Sequence, residues 1–355
     1  MRSSVSSNDD FKRYSALRER RMKVTDANTT PFSALTPDSL LDALESVGLR
    51  PDGRLLALNS YENRVYQVFM DEGAPLVAKF YRAGRWSDAA ILEEHAFSSE
   101  LAARELPVIA PLLINGQTLH QHGDLRFAVF PRQSGRAPEF DSGQTLEWMG
   151  RFIGRIHAVG ALKPFVERPT LDVRTFGEEP RDFLLAADFL PPDLADVYFG
   201  VVDQALDGVR YCFDRAGKVA SLRLHGDCHS GNVLWVEGEN SGPCFVDFDD
   251  ARMGPAIQDL WMLLSGERSD QIRQLADVVA GYEDFYEFDS RELYLIESLR
   301  TLRLIHYAGW LARRWDDPAF PAAFPWFNTA RYWQDRILEL REQIALMDEP
   351  PLWSA

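Results

Sequence analysis

The apolar residues of this chain follow one period before residue 131 and another after it. From Leu55 to Tyr81 they come in short, strand-like runs: LLAL, then NRVYQVFM, then, past a turn at Asp71 to Pro75, LVAKFY. This pattern predicts an antiparallel meander of about three strands. Two further strand-like runs lie around Gln117 to His120 and at LRFAVF, residues 125–130. Ahead of the meander, Thr36 can cap a helix with Pro37 at its first position, followed by Leu40, Leu41, Leu44 and Val47 at helical spacing and ended by Gly48. Ile91 to Leu106 is also helical in period, with Leu92, Ala96, Phe97 and Leu101 on one face. Beyond Pro131 and Gly135, long helical patterns dominate at Thr145 to Val159, Ala195 to Cys212 and Leu293 to Trp315. Only two short strands, Val233 to Val236 and Cys244 to Phe248, are expected among them. Strands first and helices afterwards predict an α+β protein with a sheet-rich lobe at residues 32–131, a helical lobe at residues 132–355 and a ligand cleft between them.

Composition narrows the function classes. Acidic residues outnumber basic ones 54 to 38, for a formal net charge of -16, which disfavours broad binding to nucleic acid or to an anionic membrane. There is no run of eighteen apolar residues and no apolar signal core at the N-terminus, so a cytoplasmic location is expected. Cys212, Cys228 and Cys244 form an odd, sparse set that supports neither a disulfide framework nor a structural zinc site. Residues 1–31 begin with a serine-rich basic stretch whose apolar residues are too few to build a core, and they are read as a disordered tail. Asp9, Asp10 and Glu19 speak against the alternative of an amphipathic targeting helix.

The chemistry concentrates in two short segments. Residues 222–235 read LRLHGDCHSGNVLW, a polar loop with His225, Asp227, His229 and Asn232 between apolar flanks; after a turn at Gly242-Pro243, CFVDFDDA brings Asp247, Asp249 and Asp250. A hairpin would bring the two segments together. Magnesium favours hard oxygen ligands and is commonly held by one or two protein groups plus phosphates, a role that Asn232 and Asp247 suit. Phosphoryl transfer also needs a carboxylate facing the acceptor hydroxyl a few residues before the metal-binding Asn, and Asp227 has that spacing. A cation is needed on the phosphates, and Lys79 lies within the strand-like LVAKFY. Its expected partner is Glu94 rather than Glu93, because Phe97 and Leu101 follow Glu94 at helical spacing. No glycine-rich loop is present at residues 58–66, LNSYENRVY, so a tight turn with Ser60 and Asn63 must hold the phosphates. Other readings compete. His225 and His229 with Asp227 and Asp247 could form a hydrolase metal cluster, although His225 reads better as a packed histidine holding the loop. Asp249 and Asp250 could touch a second ion or substrate, or simply cap a helix. Asp259 reads as a helix-start carboxylate that buttresses the loop.

HGDCHSGN followed by VDFDDA resembles the catalytic and metal-binding loops of the aminoglycoside phosphotransferase and choline kinase-like group. LNSYENRVYQV, VAKFYR, GPAIQDLWMLL and DPAFPAAFPW extend the resemblance to the stress response kinase A family of bacterial serine/threonine kinases, over roughly Phe32 to Leu352. The resemblance implies a bilobal protein-kinase-like fold and a cytoplasmic enzyme that uses ATP and Mg2+ to phosphorylate serine or threonine in a protein under stress; a monomer is expected. It implies Asp227 as proton acceptor, Asn232 and Asp247 as metal ligands and Ser60 as a nucleotide contact. A small-molecule kinase of the choline, homoserine or aminoglycoside type and a nucleotide-binding module without turnover are the alternatives.

Overall fold

The computed structural model describes residues 31–352 apart from 188, 239 and 240. The expected tail therefore lies almost wholly outside the described residues. Helix α1 (Pro37–Ser46) starts as anticipated, with Thr36 and Ser39 exchanging backbone-to-hydroxyl hydrogen bonds of 2.8 and 3.1 Å, a reciprocal cap that satisfies amides otherwise left bare at a helix start. Five strands follow: β1 (Pro51–Leu58), β2 (Arg64–Met70), β3 (Leu76–Phe80), β4 (His120–His122) and β5 (Leu125–Pro131), in the antiparallel order β1-β2-β3-β5-β4.

Alternation along β3 divides this sheet into two faces. Ala78 and Phe80 join Val68, Phe127 and Val129 in a core against Leu40 and Leu44 of α1. Lys79 points to the other face, which α2 (Asp88–Ala103) covers with Ile91 and Glu94. The predicted apolar face of α2 needs a correction: Leu92 is 45% exposed and Ala96 is also exposed, while Ile91, Glu94, His95, Phe97, Ser98 and Leu101 turn inward. A polar Glu and His inside a helix mask its period.

The rear lobe is helical, with α3 (Gly143–Gly160), α4 (Glu179–Ala187), α5 (Pro192–Ala216), α6 (Ile257–Trp261), α7 (Arg268–Tyr282), α8 (Ile296–Arg313), α9 (Ala319–Ala323) and α10 (Ala330–Asp348) around one large core. Helices α3 and α7 approach backbone to backbone at Gly150 and Gly281, where any Cβ would collide with the carbonyl oxygens of Val278 and Glu147 respectively. The expectation of only two rear-lobe strands falls short. Among the described residues four are present, as two antiparallel pairs: β6 (Leu222–Leu224) with β9 (Arg252–Gly254), and β7 (Val233–Val236) with β8 (Gly242–Phe245). The predicted strand from Cys244 to Phe248 stops at Phe245, because Asp247 adopts a left-handed conformation (φ 59°, ψ 66°) and residues 248–250 coil into a short 3-10 turn. The α+β, two-lobed architecture is the one expected. Among the described residues, no helix is long and apolar enough to cross a membrane.

Candidate active site

The polar loop after β6 is built on a buried carboxylate. Asp259, near the start of α6, accepts hydrogen bonds from the amides of His225 (2.8 Å) and Gly226 (2.9 Å) and pairs with His157 Nε2 at 3.0 Å. The other His157 nitrogen meets the Tyr282 hydroxyl at 2.9 Å, so α3, α6 and α7 all anchor the loop. Gly226 has φ 86° and no room for a Cβ beside the Asp250 carbonyl, so only glycine fits this turn. His225 Nδ1 accepts from the Asp227 amide (3.4 Å), which leaves Nε2 to donate to the Val246 carbonyl at 2.9 Å. Its ring also packs on Phe248, with centroids 4.5 Å apart. His225 thus ties the loop to the segment carrying Asp247, in keeping with a packed histidine. Among the described residues no three His, Cys, Asp or Glu side chains gather as a metal site, which removes the hydrolase-type cluster.

The β7–β8 hairpin brings the two polar segments side by side, with Val246 N donating to the Asn232 carbonyl at 3.0 Å. Asn232 Nδ2 donates to the Asp227 carbonyl (2.9 Å) and to Asp227 Oδ2 (3.3 Å). With its nitrogen committed there, the amide oxygen of Asn232 is turned to the opposite side. Asp227 Oδ1 accepts from Arg303 Nη1 at 2.8 Å, and Oδ2 lies 3.3 Å from His229 Nε2. Burial pushes the Asp227 carboxyl up, but the His229 hydrogen bond and the Arg303 guanidinium prevail and hold it below the usual carboxylate range. Asp247 presents a side chain 52% exposed to the cleft, with Oδ1 2.7 Å from Lys79 Nζ. An amide oxygen and an exposed carboxylate on adjoining loops are the hard donors that magnesium takes when phosphates and water complete its shell. The donor set fits that ion.

Lys79 departs from expectation in its partner. Its ammonium pairs with Asp247 and, at 3.3 Å, with Asp249, whereas Glu94 acts on it only through charge at longer range. Burial alone would lower the Lys79 pKa, but Asp247 and Asp249 outweigh it and keep the lysine charged. The place beside Glu94 is taken by Arg168, whose Nη2 is 3.9 Å away while Nε and Nη1 donate to the carbonyls of Ala90 and Asp249. Its neighbour Glu93 accepts from the amides of Val166, Glu167 and Arg168 at 2.7 to 3.0 Å and pins α2 to the rear lobe. Glu94 is only 2% exposed, and burial lifts its carboxyl from 4.5 to about 7 against the pull of Lys79 and Arg168. The folded chain therefore keeps a proton that the unfolded chain releases, and wild-type stability falls as pH rises through that window. Glu94→Gln removes this loss, so its stability relative to wild type is expected to rise by on the order of 2 kcal/mol from about pH 5 to about pH 8. Paired denaturant melts at the two pH values check this, and a pH-independent difference would mean that Glu94 is ionised throughout.

Asn63 also requires a correction. It lines the cleft, yet Nδ2 donates to Asp249 Oδ2 (3.0 Å) and Oδ1 accepts from the Arg82 amide (3.1 Å), so its side chain braces the turn instead of facing phosphates. Ser60 lines the cleft from the same turn. Asp249 and Asp250 are bound by Arg85, with Asp250 also 2.6 Å from Arg252 Nη2. Burial opposes ionisation of both, but Arg85 and Lys79 hold Asp249 below the usual range, and Arg85 and Arg252 hold Asp250 well below it. Neither caps a helix. The turn is latched to the rear lobe by Glu62, which accepts from Trp310 Nε1 at 2.6 Å and Arg314 Nε at 3.0 Å. Sequence reading missed Glu62, Arg85, Arg168 and Arg303. The only available signal was the aromatic and arginine-rich stretch from His306 to Trp333, which has Trp310 and Arg314 on one helical face.

A cleft of about 750 Å³ is lined by Ser60, Asn63 and Arg85 on the sheet side and by Asp227, Asn232, Asp247 and α8 on the helical side. Its size suits a nucleotide-scale ligand. The profile of the phosphotransferase enzyme family matches residues 54–296. Stress response kinase A of Salmonella choleraesuis is 46% identical over 325 residues, covering 92% of this chain and 97% of that protein. Serine/threonine protein kinase RdoA of Salmonella typhimurium is 45% identical over the same shares. Among solved structures, amicoumacin kinase hAmiN in complex with AMP-PNP, Ca2+ and Ami aligns with a TM-score of 0.68 at 20% identity, over 89% of this chain and 95% of that one, a likeness of fold. With the family profile over most of its length and close relatives along nearly all of it, the chain belongs to the phosphotransferase enzyme family and, within it, to the stress response kinase A group.

Proposed function

We propose that this chain is a protein kinase that moves the γ-phosphate of ATP, with Mg2+, to a serine or threonine hydroxyl, and that it serves the stress response for which its relatives are named. The observation that carries this reading is Asp227, ionised and gripped by Arg303 and His229, beside Asn232 and lining the same cleft as Asp247, which pairs with Lys79. Asp227 orients the acceptor hydroxyl and takes its proton as the serine oxygen bonds to the γ-phosphorus and the bond to ADP breaks. Lys79 and Arg85 supply positive charge on the phosphate side, and the Ser60 turn closes over it. Asn232 and Asp247 would hold Mg2+, which offsets charge building on the phosphate oxygens. Most of the rate enhancement then comes from placement and fixed charge. The AMP-PNP and Ca2+ bound by hAmiN support a nucleotide and a divalent ion as the ligands.

The protein acceptor rests on the name of the RdoA relative, while hAmiN is named for a small molecule. Incubation with labelled ATP and Mg2+ separates the two. Label is expected on a generic protein substrate or on the chain itself, and little on amino alcohols or aminoglycosides. Label confined to a small molecule would sink the protein reading alone; nucleotide binding with no transfer at all would leave a regulatory module.

A further inference from the structure

In a chain of net charge -16, the acceptor side of the cleft carries four arginines, Arg252, Arg303, Arg313 and Arg314, three of them already paired with carboxylates. The cleft-facing positions of α8 repeat at helical spacing: Arg303, His306, Tyr307, Trp310 and Arg313, with Arg314 just past its end. Across from them, the Arg252 guanidinium lies 4.6 Å over the Phe176 ring, which stacks on His306 at 4.1 Å. Burial, then Arg252, pulls His306 down to about 3, so the ring is neutral and the positive charge belongs to the arginines.

Four carboxylates share this wall, and each already has a cation: Asp227 is bound by Arg303, Asp250 by Arg252 and Arg85, Glu62 by Arg314, and Glu179 by Arg174. Arg313 is exposed, spends one nitrogen on the Glu179 carbonyl oxygen at 3.1 Å and makes no close ion pair among the described residues. Arg303 touches Asp227, yet its side chain remains 43% exposed. At Arg313, the cation on this wall without a carboxylate partner among the described residues, a cationic acceptor such as an amino sugar or a choline would meet repulsion, whereas an anion is drawn in and held. From Arg303 to Arg313 the helix rises about 15 Å. That equals four to five residues of extended peptide, at about 3.3 Å each.

We propose that the acceptor is an acidic peptide segment, with its serine or threonine at Asp227 and carboxylates within about five residues that meet Arg303 and Arg313. This acceptor class rests on the protein-kinase reading above and deepens it. Aromatic Tyr307 and Trp310 between the two cations give the peptide an apolar floor.

Three fluorescent serine peptides, identical except for aspartate, asparagine or lysine flanks, are titrated into the full chain and followed by anisotropy, with phosphate transfer from labelled ATP measured in parallel. The aspartate peptide is expected to bind about tenfold more tightly than the asparagine peptide, with lysine weakest and the gap closing as salt rises. Arg313→Gln should erase much of the gain, and Arg313→Glu should move the order toward the lysine peptide. Equal affinities, tightest binding of the lysine peptide, no binding of any, or an order unmoved by both variants overturns the proposal. Binding is read without turnover, so a chain that fails to transfer phosphate sinks the kinase reading, while the order of affinities still decides the acceptor class.

Discussion

Asp227→Ala is expected to lower kcat for phosphate transfer by about 10³- to 10⁴-fold while leaving Mg·ATP affinity within about threefold. The separation follows from geometry. Asp227 meets Arg303, His229 and the Asn232 amide, whereas Lys79 pairs with Asp247 and Asp249. On the proposed mechanism, losing the carboxylate removes the group that orients the hydroxyl and accepts its proton, but none of those placed toward the phosphates. Pre-steady-state transfer and nucleotide titration, run on the same preparation, read the two quantities separately. A large loss of nucleotide affinity with kcat preserved would move Asp227 to the nucleotide side. Because its carboxyl is held below the usual range, Asp227 stays ionised as pH falls toward about 5, so the acid limb of activity near neutrality should not be its titration.

Asp259→Ala is expected to destabilise the fold by about 3–5 kcal/mol. Asp259 is 1% exposed, and its removal would strand the amides of His225 and Gly226 together with His157, none of which can reach water. The loop bearing Asp227 is the part released, so residual activity at a temperature where the variant remains folded should fall as well. Asp259→Asn, which keeps one acceptor oxygen, should recover part of the stability. A loss under about 1 kcal/mol for alanine, read from denaturant melts, would mean that the loop stands without its carboxylate anchor.

Much of this arrangement was legible because its signals are local. The cap at Thr36 and Pro37, the apolar run of β7 and the short step from Asp227 to Asn232 each lie within a few consecutive residues. Helices α7 and α10 escaped because few of their residues are buried, which leaves a weak apolar period. The site contacts that went unread join distant positions. Asn63 meets Asp249 across 186 residues and Arg303 meets Asp227 across 76, and no local pattern encodes either pairing. Glu94 was correctly placed facing inward, yet its neighbour is set by Arg168, which arrives from beyond α3 and occupies the position expected for Lys79. The left-handed turn at Asp247 was hidden for a different reason: CFVDF is as apolar as a strand, and only the tertiary setting bends it there.

The most direct measurement is transfer of the γ-phosphate from labelled ATP in the presence of Mg2+ and again with EDTA, for wild type and Asp247→Ala. Label on protein with Mg2+, its loss on chelation and no recovery in Asp247→Ala at raised Mg2+ are the predicted results. Transfer that survives chelation, or full activity in Asp247→Ala, would contradict a phosphotransferase centred on Asp227, Asn232 and Asp247.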